Sequence, residues 1–197
     1  MKNLKLKDII LTGAFSALYF ICVGLGTLIS IFLDKSGNMI YAPAFAGLLG
    51  GTVYFLLVAK IQKFGAITML GAIMGFFFFL TGHFVAALFP ALIFGLLADG
   101  LAYLGRYQKQ SINLLSYILF SFANTGPIIL MWFLRDTYIK SLLARGKDMA
   151  YVNRVMVDLT LANVSFFIFT VCLGALLGGL FGQRLLKKHF MKSGMLS

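Results

Sequence analysis

The chain has 197 residues, of which 60% are hydrophobic and 12% charged, with a net charge of +11 from 17 lysines and arginines against six acids. A soluble domain of this size carries about twice that share of charge. The sequence therefore reads as a polytopic membrane protein, a single transmembrane domain over residues 1–197 with no soluble catalytic domain attached. The basic residues sit in short loops and tails, where they act as a topology signal, so nucleic acid is set aside as a partner.

The start is polar, with Lys2, Lys5 and Lys7. Six apolar stretches follow, at about 9–33, 40–59, 64–80, 84–104, 112–134 and 159–181. The first is too long for a cleavable signal peptide and lacks a small-x-small cleavage site. As helices, all six are long enough to cross roughly 30 Å of hydrocarbon, the third with least margin. The predicted fold class is an all-α integral membrane protein, a six-transmembrane-helix bundle.

Small residues recur on single faces. In the first stretch Gly13 and Ala17 stand four apart, a spacing that lets another helix backbone approach closely. The second has Pro43 near its start and Ala42, Ala46 and Gly50 on one face; the third has Gly71 and Gly75 and ends in Phe76–Phe79, a lipid-facing or core-filling run. The turn Thr81-Gly82-His83 leads to the fourth, interrupted by Pro90, where Ala87, Ala91, Gly95 and Asp99 repeat every four residues. A carboxylate inside a span is costly and is a functional candidate by default. A structural ion pair with nearby Arg106 is the other reading of Asp99. The sixth stretch carries Gly174, Gly178 and Gly182 on one face, and Cys22 and Cys172 lie in separate apolar runs without metal-ligand spacing.

The fifth stretch is the most informative. It is apolar, yet Asn124-Thr125-Gly126-Pro127 interrupts it and Trp132, Arg135 and Asp136 close it. Pro127 has no N–H and disfavours helical geometry at Gly126, which frees backbone carbonyls. In lipid such a break is tolerated only against protein or a wet cavity, and transporters often build substrate sites on discontinuous spans. A proline-kinked structural helix with an aromatic anchor is the alternative.

The loops set the orientation. Eleven basic residues fall on the side of the termini and six on the other, which places both ends in the cytoplasm. The one long loop, 135–158, then lies outside. Tyr138, Ile139, Leu142 and Leu143 have helical spacing, Gly146 can stop that helix, and Asp148 can cap a second one starting at Met149. This predicts a helical hairpin that either roofs an outer mouth or rests on lipid headgroups. His83, Asn124, Trp132, Arg135 and Asn163 reach the outer level from separate stretches and are the candidate ligand contacts, with the Gly126-Pro127 break as floor. Each has a plainer reading. His83 can cap locally; Asn124 shares a face with Asn113, Tyr117 and Ser121 and, like Asn163, can hold helices together. Trp132 can anchor at the interface, and Asp136 can neutralise Arg135.

No P-loop, H-E-x-x-H or G-x-S-x-G occurs, and no two intramembrane acids suggest a protease or a proton pump. The chain is therefore not read as an enzyme, and ATP hydrolysis would fall to partner subunits.

Several segments together resemble one family across essentially the whole chain. They are L-K-D-I-I-L-T-G-A-F-S-A-L-Y-F from Leu6, G-G-T-V-Y-F-L-L-V-A-K from Gly50, F-L-T-G-H from Phe79, A-N-T-G-P, R-D-T-Y, and K-K-H-F-M-K-S-G from Lys187. The resemblance is to the MptD (Trep_Strep) family, substrate-binding S components of energy-coupling factor (ECF) transporters. It implies a multi-pass cell-membrane subunit with cytoplasmic ends that captures a vitamin or other micronutrient near the outer face. It also implies a transmembrane T component and two cytosolic ABC ATPases as partners, ATP being used by the latter and no cofactor by this chain. Gly13 and Ala17 match the small-residue motif by which helix 1 of such proteins meets the T component. Two other functions stay open: a self-sufficient facilitator or channel, which would transport without ATP, and an enzyme acting on lipid or intramembrane peptide.

Overall fold

A computed structural model describes residues 3–80 and 85–190. The described chain is all-α: α1 (Leu6–Leu33), α2 (Ala42–Ile61), α3 (Ala66–Leu80), α4 (Leu88–Leu104), α5 (Gln110–Ser121), α6 (Gly126–Phe133), α7 (Arg135–Ala144), α8 (Met149–Val155) and α9 (Leu161–Leu185). A 3-10 turn, Val85–Ala87, precedes α4, and another, Phe122–Thr125, joins α5 to α6.

Among the described residues four stretches are long and apolar enough to cross a membrane: Leu6–Leu33, Ala42–Ile61, Gln110–Phe133 and Leu161–Lys188. That is two fewer than the six expected from sequence. Helices α3 and α4 have 15 and 17 residues. At 1.5 Å per residue they rise about 22 and 26 Å, short of a hydrocarbon core of roughly 30 Å. The segment between them, which holds the candidate His83, lies outside the described residues.

The chain's three prolines all fall in the first turns of helices: Pro43 in α2, Pro90 in α4 and Pro127 in α6. There a missing N–H breaks no hydrogen bond, and the fixed φ favours helix entry. Pro90 thus opens the fourth stretch, which corrects the reading of it as an interruption. Pro127 does mark a break, with the 3-10 turn before it.

Burial is inverted relative to a water-soluble bundle. The inward face of α1 is Asp8, Thr12, Ser16, Tyr19, Val23, Gly26 and Ser30, while Leu18, Ile21, Leu25, Leu28 and Phe32 point out. Lipid tails are as apolar as leucine, so packing and hydrogen bonding hold such helices together. Two of these hydroxyls bond inside their own helix, Thr12 Oγ1 to the Asp8 carbonyl and Ser16 Oγ to that of Thr12, both at 2.8 Å.

Glycines form the seams. On α9, Gly174, Gly178 and Gly182 lie against Ala44, Gly47 and Gly51 of α2 so closely that an added Cβ would collide with backbone. Gly26 of α1 meets Ala46 in the same way, where a Cβ would stand 2.6 Å from the Ala46 nitrogen. Gly71 and Gly75 of α3 pack on Ala91 of α4. The middle of the bundle is filled by fully buried Tyr19, Tyr54, Tyr117 and Phe120. Their rings approach at 4.8 to 5.5 Å between centroids.

Asp99 is completely buried. It accepts from the Gly65 and Thr68 N–H groups at 2.8 and 2.9 Å, from Thr68 Oγ1 at 2.9 Å and from the Tyr107 hydroxyl at 2.8 Å. A carboxylate at a helix N-terminus satisfies orphan donors and complements the dipole. Asp99 therefore caps α3 from α4, and these partners replace the Arg106 pair expected from sequence. Arg106 and Tyr107 are consecutive left-handed residues, at φ 53 and 59. That turn leaves Arg106 exposed and brings Tyr107 inside.

Candidate ligand cavity

At the end of the bundle away from the termini, α1 ends and α2 begins around Asp34–Asn38. The Ser36 N–H and the Asn38 amide both donate to the Asp34 carboxylate, at 2.9 and 2.7 Å. The first of these does most to hold that carboxyl below the usual range, against a smaller upward push from burial. Beside this turn lies a cavity of about 80 Å³. Val23 and Thr27 of α1, Met39, Pro43 and Ala46 form one side, and Phe78, Asn124, Pro127 and Ile128 the other. Among the described residues its wall is mostly apolar, with Thr27 and Asn124 as polar side chains and no charged residue.

The 3-10 turn and Pro127 bring Asn124 to this wall. The side chain is 5% exposed, and its Nδ2 donates to the Tyr19 hydroxyl at 3.0 Å. Its Oδ1 is buried without a hydrogen-bond partner. Turning the amide over would put Oδ1 on Tyr19 and leave Nδ2 idle, so one polar atom is unpaired either way. An orphan of this kind costs about 1–3 kcal/mol, which a donor entering the cavity would recover. The break frees less backbone than its sequence suggests, because Thr125 Oγ1 donates to the Phe122 carbonyl at 2.6 Å.

The other candidates among the described residues, Trp132, Arg135 and Asn163, stand apart from the cavity. Trp132 donates its indole N–H to the Val157 carbonyl at 3.1 Å and meets Phe167 edge-on. Arg135 pairs with Asp158 at 3.2 Å, across 23 residues, instead of with its neighbour Asp136. Asn163 donates its backbone N–H to the capping Thr160 Oγ1 at 3.2 Å and its side-chain amide to the Asp158 carbonyl at 2.8 Å. These three fasten the chain around 157–160 to α6, α7 and α9.

Over the same end, α7 and α8 pack Leu142 against Val152 and Val155. Gly146 turns the chain at φ 77, and Asp148 caps α8 by accepting from the Tyr151 N–H at 2.7 Å. Arg154 Nε donates to the Ser36 carbonyl at 3.0 Å, which ties α8 to the α1–α2 turn. Tyr138 is half-buried in this packing, and its hydroxyl is pushed up by burial.

The docking candidates lie off the inward face of α1, Gly13 half-buried and Ala17 exposed. Nothing lies within 4 Å of a Cβ built on Gly13. Among the described residues no three His, Cys, Asp or Glu side chains come together as a metal site.

Residues 6–192 match the family model of Trep_Strep, described as a hypothetical bacterial integral membrane protein. The chain belongs to the Trep_Strep family. No curated protein and no solved structure matches it. In this Trep_Strep chain, sequence reasoning missed Tyr19, Thr27 and Phe78 at the site. Tyr19 carried a signal, since it continues the inward Thr12–Ser16 spacing of α1; Thr27 and Phe78 carried none.

Proposed function

We propose that this Trep_Strep chain is the substrate-binding S component of an ECF importer. The observation that carries the reading is Asn124: a buried amide with an unpaired atom, on the wall of a largely apolar cavity, at a break in a membrane-length stretch. Small-molecule sites have that makeup, apolar walls and a few placed polar groups. The cavity is on the outer side in this reading, because the basic excess keeps both termini in the cytoplasm. The chain is not an enzyme here. It captures a vitamin or other micronutrient, and a T component with two ABC ATPases supplies ATP-driven release. The open Gly13–Ala17 face is where the T component docks.

The packed middle supports a binding subunit over a self-sufficient channel. Tyr19, Tyr54, Tyr117 and Phe120 are fully buried there. The test is native mass spectrometry of gently purified chain, wild type and Asn124→Ala. A small molecule retained by the wild type and lost from the variant supports the reading. Retention equal in both, or transport by the chain alone in liposomes without ATP, overturns it.

A further inference from the structure

A larger cavity, of about 200 Å³, lies at the opposite end, near the termini. It opens between the last turns of α2 and α9 and the turn from α4 to α5, and it owes nothing to the Asn124 cavity. Its inner side is formed by Asn113, which is 6% exposed. Asn113 Nδ2 donates to the Tyr107 carbonyl at 2.9 Å. A carbonyl only accepts, so the orientation of this amide is set and the unpaired atom is the acceptor Oδ1. The left-handed turn at Arg106 and Tyr107 aims that carbonyl. Phe55, Val58 and Leu186 supply apolar walls, and exposed Gln108 and Lys187 stand at the mouth. Among the described residues of the lining Lys187 is the one charged side chain, and no carboxylate joins it.

The chemistry combines a buried acceptor inside, apolar surface, and a cation with the amides of Gln62, Gln108, Gln110 and Gln183 in the rest of the lining. We infer that this cleft is a second binding site, for a phosphate ester that also bears an O–H or N–H donor. The phosphate sits at Lys187 and Gln108, and the donor reaches toward Asn113. Lys60, Arg106, Lys109 and Arg184 also fall at this end, while Lys63 is ion-paired with Asp8, and the net positive charge there raises the local concentration of such anions. Two sources carry this chemistry, a phospholipid headgroup of the adjoining leaflet and a soluble sugar or polyol phosphate.

The experiment uses the full chain in detergent, with phosphatidylglycerol and phosphatidylmethanol in equal amounts, read by native mass spectrometry. The two lipids have the same charge, but only the first offers a hydroxyl. Wild type should retain phosphatidylglycerol about fivefold better, the worth of one hydrogen bond. Lys187→Gln should lower that retention about fivefold, the usual effect of one basic residue near an anionic headgroup. Lys188→Gln, outside the lining, should leave it unchanged. Calorimetry with glycerol 3-phosphate forms the second arm: binding there, lowered by Lys187→Gln, without lipid preference assigns the site to a soluble ester. Equal retention of both lipids together with no glycerol 3-phosphate binding overturns the inference, as does an equal loss in the two lysine variants.

Discussion

At the scale of single residues, the buried polar groups divide into those that are saturated and those left one partner short. Asp99 accepts four hydrogen bonds from α3 and Tyr107. Asp99→Asn would turn an NH₂ group against those donors. The expected loss is about 2–4 kcal/mol, because buried donors are left unpaired, seen as a lower unfolding temperature in detergent. Ligand affinity per folded molecule should not change, since the cavity at Asn124 is at the other end. Wild-type stability in this variant would remove Asp99 as the clamp on α3. Trp132→Phe is milder: it keeps a ring on Phe167 and loses the bond to Val157, for about 1 kcal/mol. A drop in ligand binding as large as that of Asn124→Ala would place Trp132 in the site after all.

At the scale of helices, glycine has two opposite meanings in this chain. Gly178 faces the Gly47 and Leu48 carbonyls, so Gly178→Ala has to push α2 and α9 apart. Overpacking of that kind costs about 1–3 kcal/mol. Gly13 and Gly24 have nothing within 4 Å of a Cβ. Changing either to Ala should leave stability unchanged or raise it by up to about 1 kcal/mol through helix propensity. Thermal unfolding of the three variants checks both statements, and an ordering in which Gly178→Ala is the harmless one would refute the seam. The spacing of Gly174, Gly178 and Gly182 was legible in the sequence because a four-residue repeat lies on one helix face. Which helix it would meet was not, since nothing local links α9 to α2. Pro90 was misread because a proline in an apolar run looks the same whether it breaks a helix or opens one. Asp99 was paired with Arg106 on nearness in sequence; the left-handed turn at Arg106 and Tyr107, which leaves Arg106 exposed, is written in ordinary side chains and carries no glycine signal.

At the scale of the molecule, the site was partly legible. Asn124 beside Pro127 announced itself as an amide at a break, whereas Trp132, Arg135 and Asn163 share an end of the bundle without sharing a cavity. Depth along a helix can be counted from sequence, but rotation about it, and the partners a loop offers, depend on tertiary packing. The same limit applied to α1, whose Gly13–Ala17 face could have been buried. In the structure that face is open while Thr12, Ser16 and Tyr19 fill the inside. A Cβ at Gly13 meets nothing and Ala17 is exposed, so a large side chain at either should not disturb the fold. Within the proposed importer the same side chain would stand where the T component's backbone has to approach. Gly13→Leu and Ala17→Leu should each unfold at the wild-type temperature and keep their ligand, yet fail to co-purify with the T component and the ATPases. A comparable insertion elsewhere on the lipid face, Leu25→Phe, should assemble normally, which separates a docking face from a general intolerance of bulk. Full assembly of both small-face variants would move the docking surface off α1, and loss of folding in them would mean that α1 packs otherwise than described.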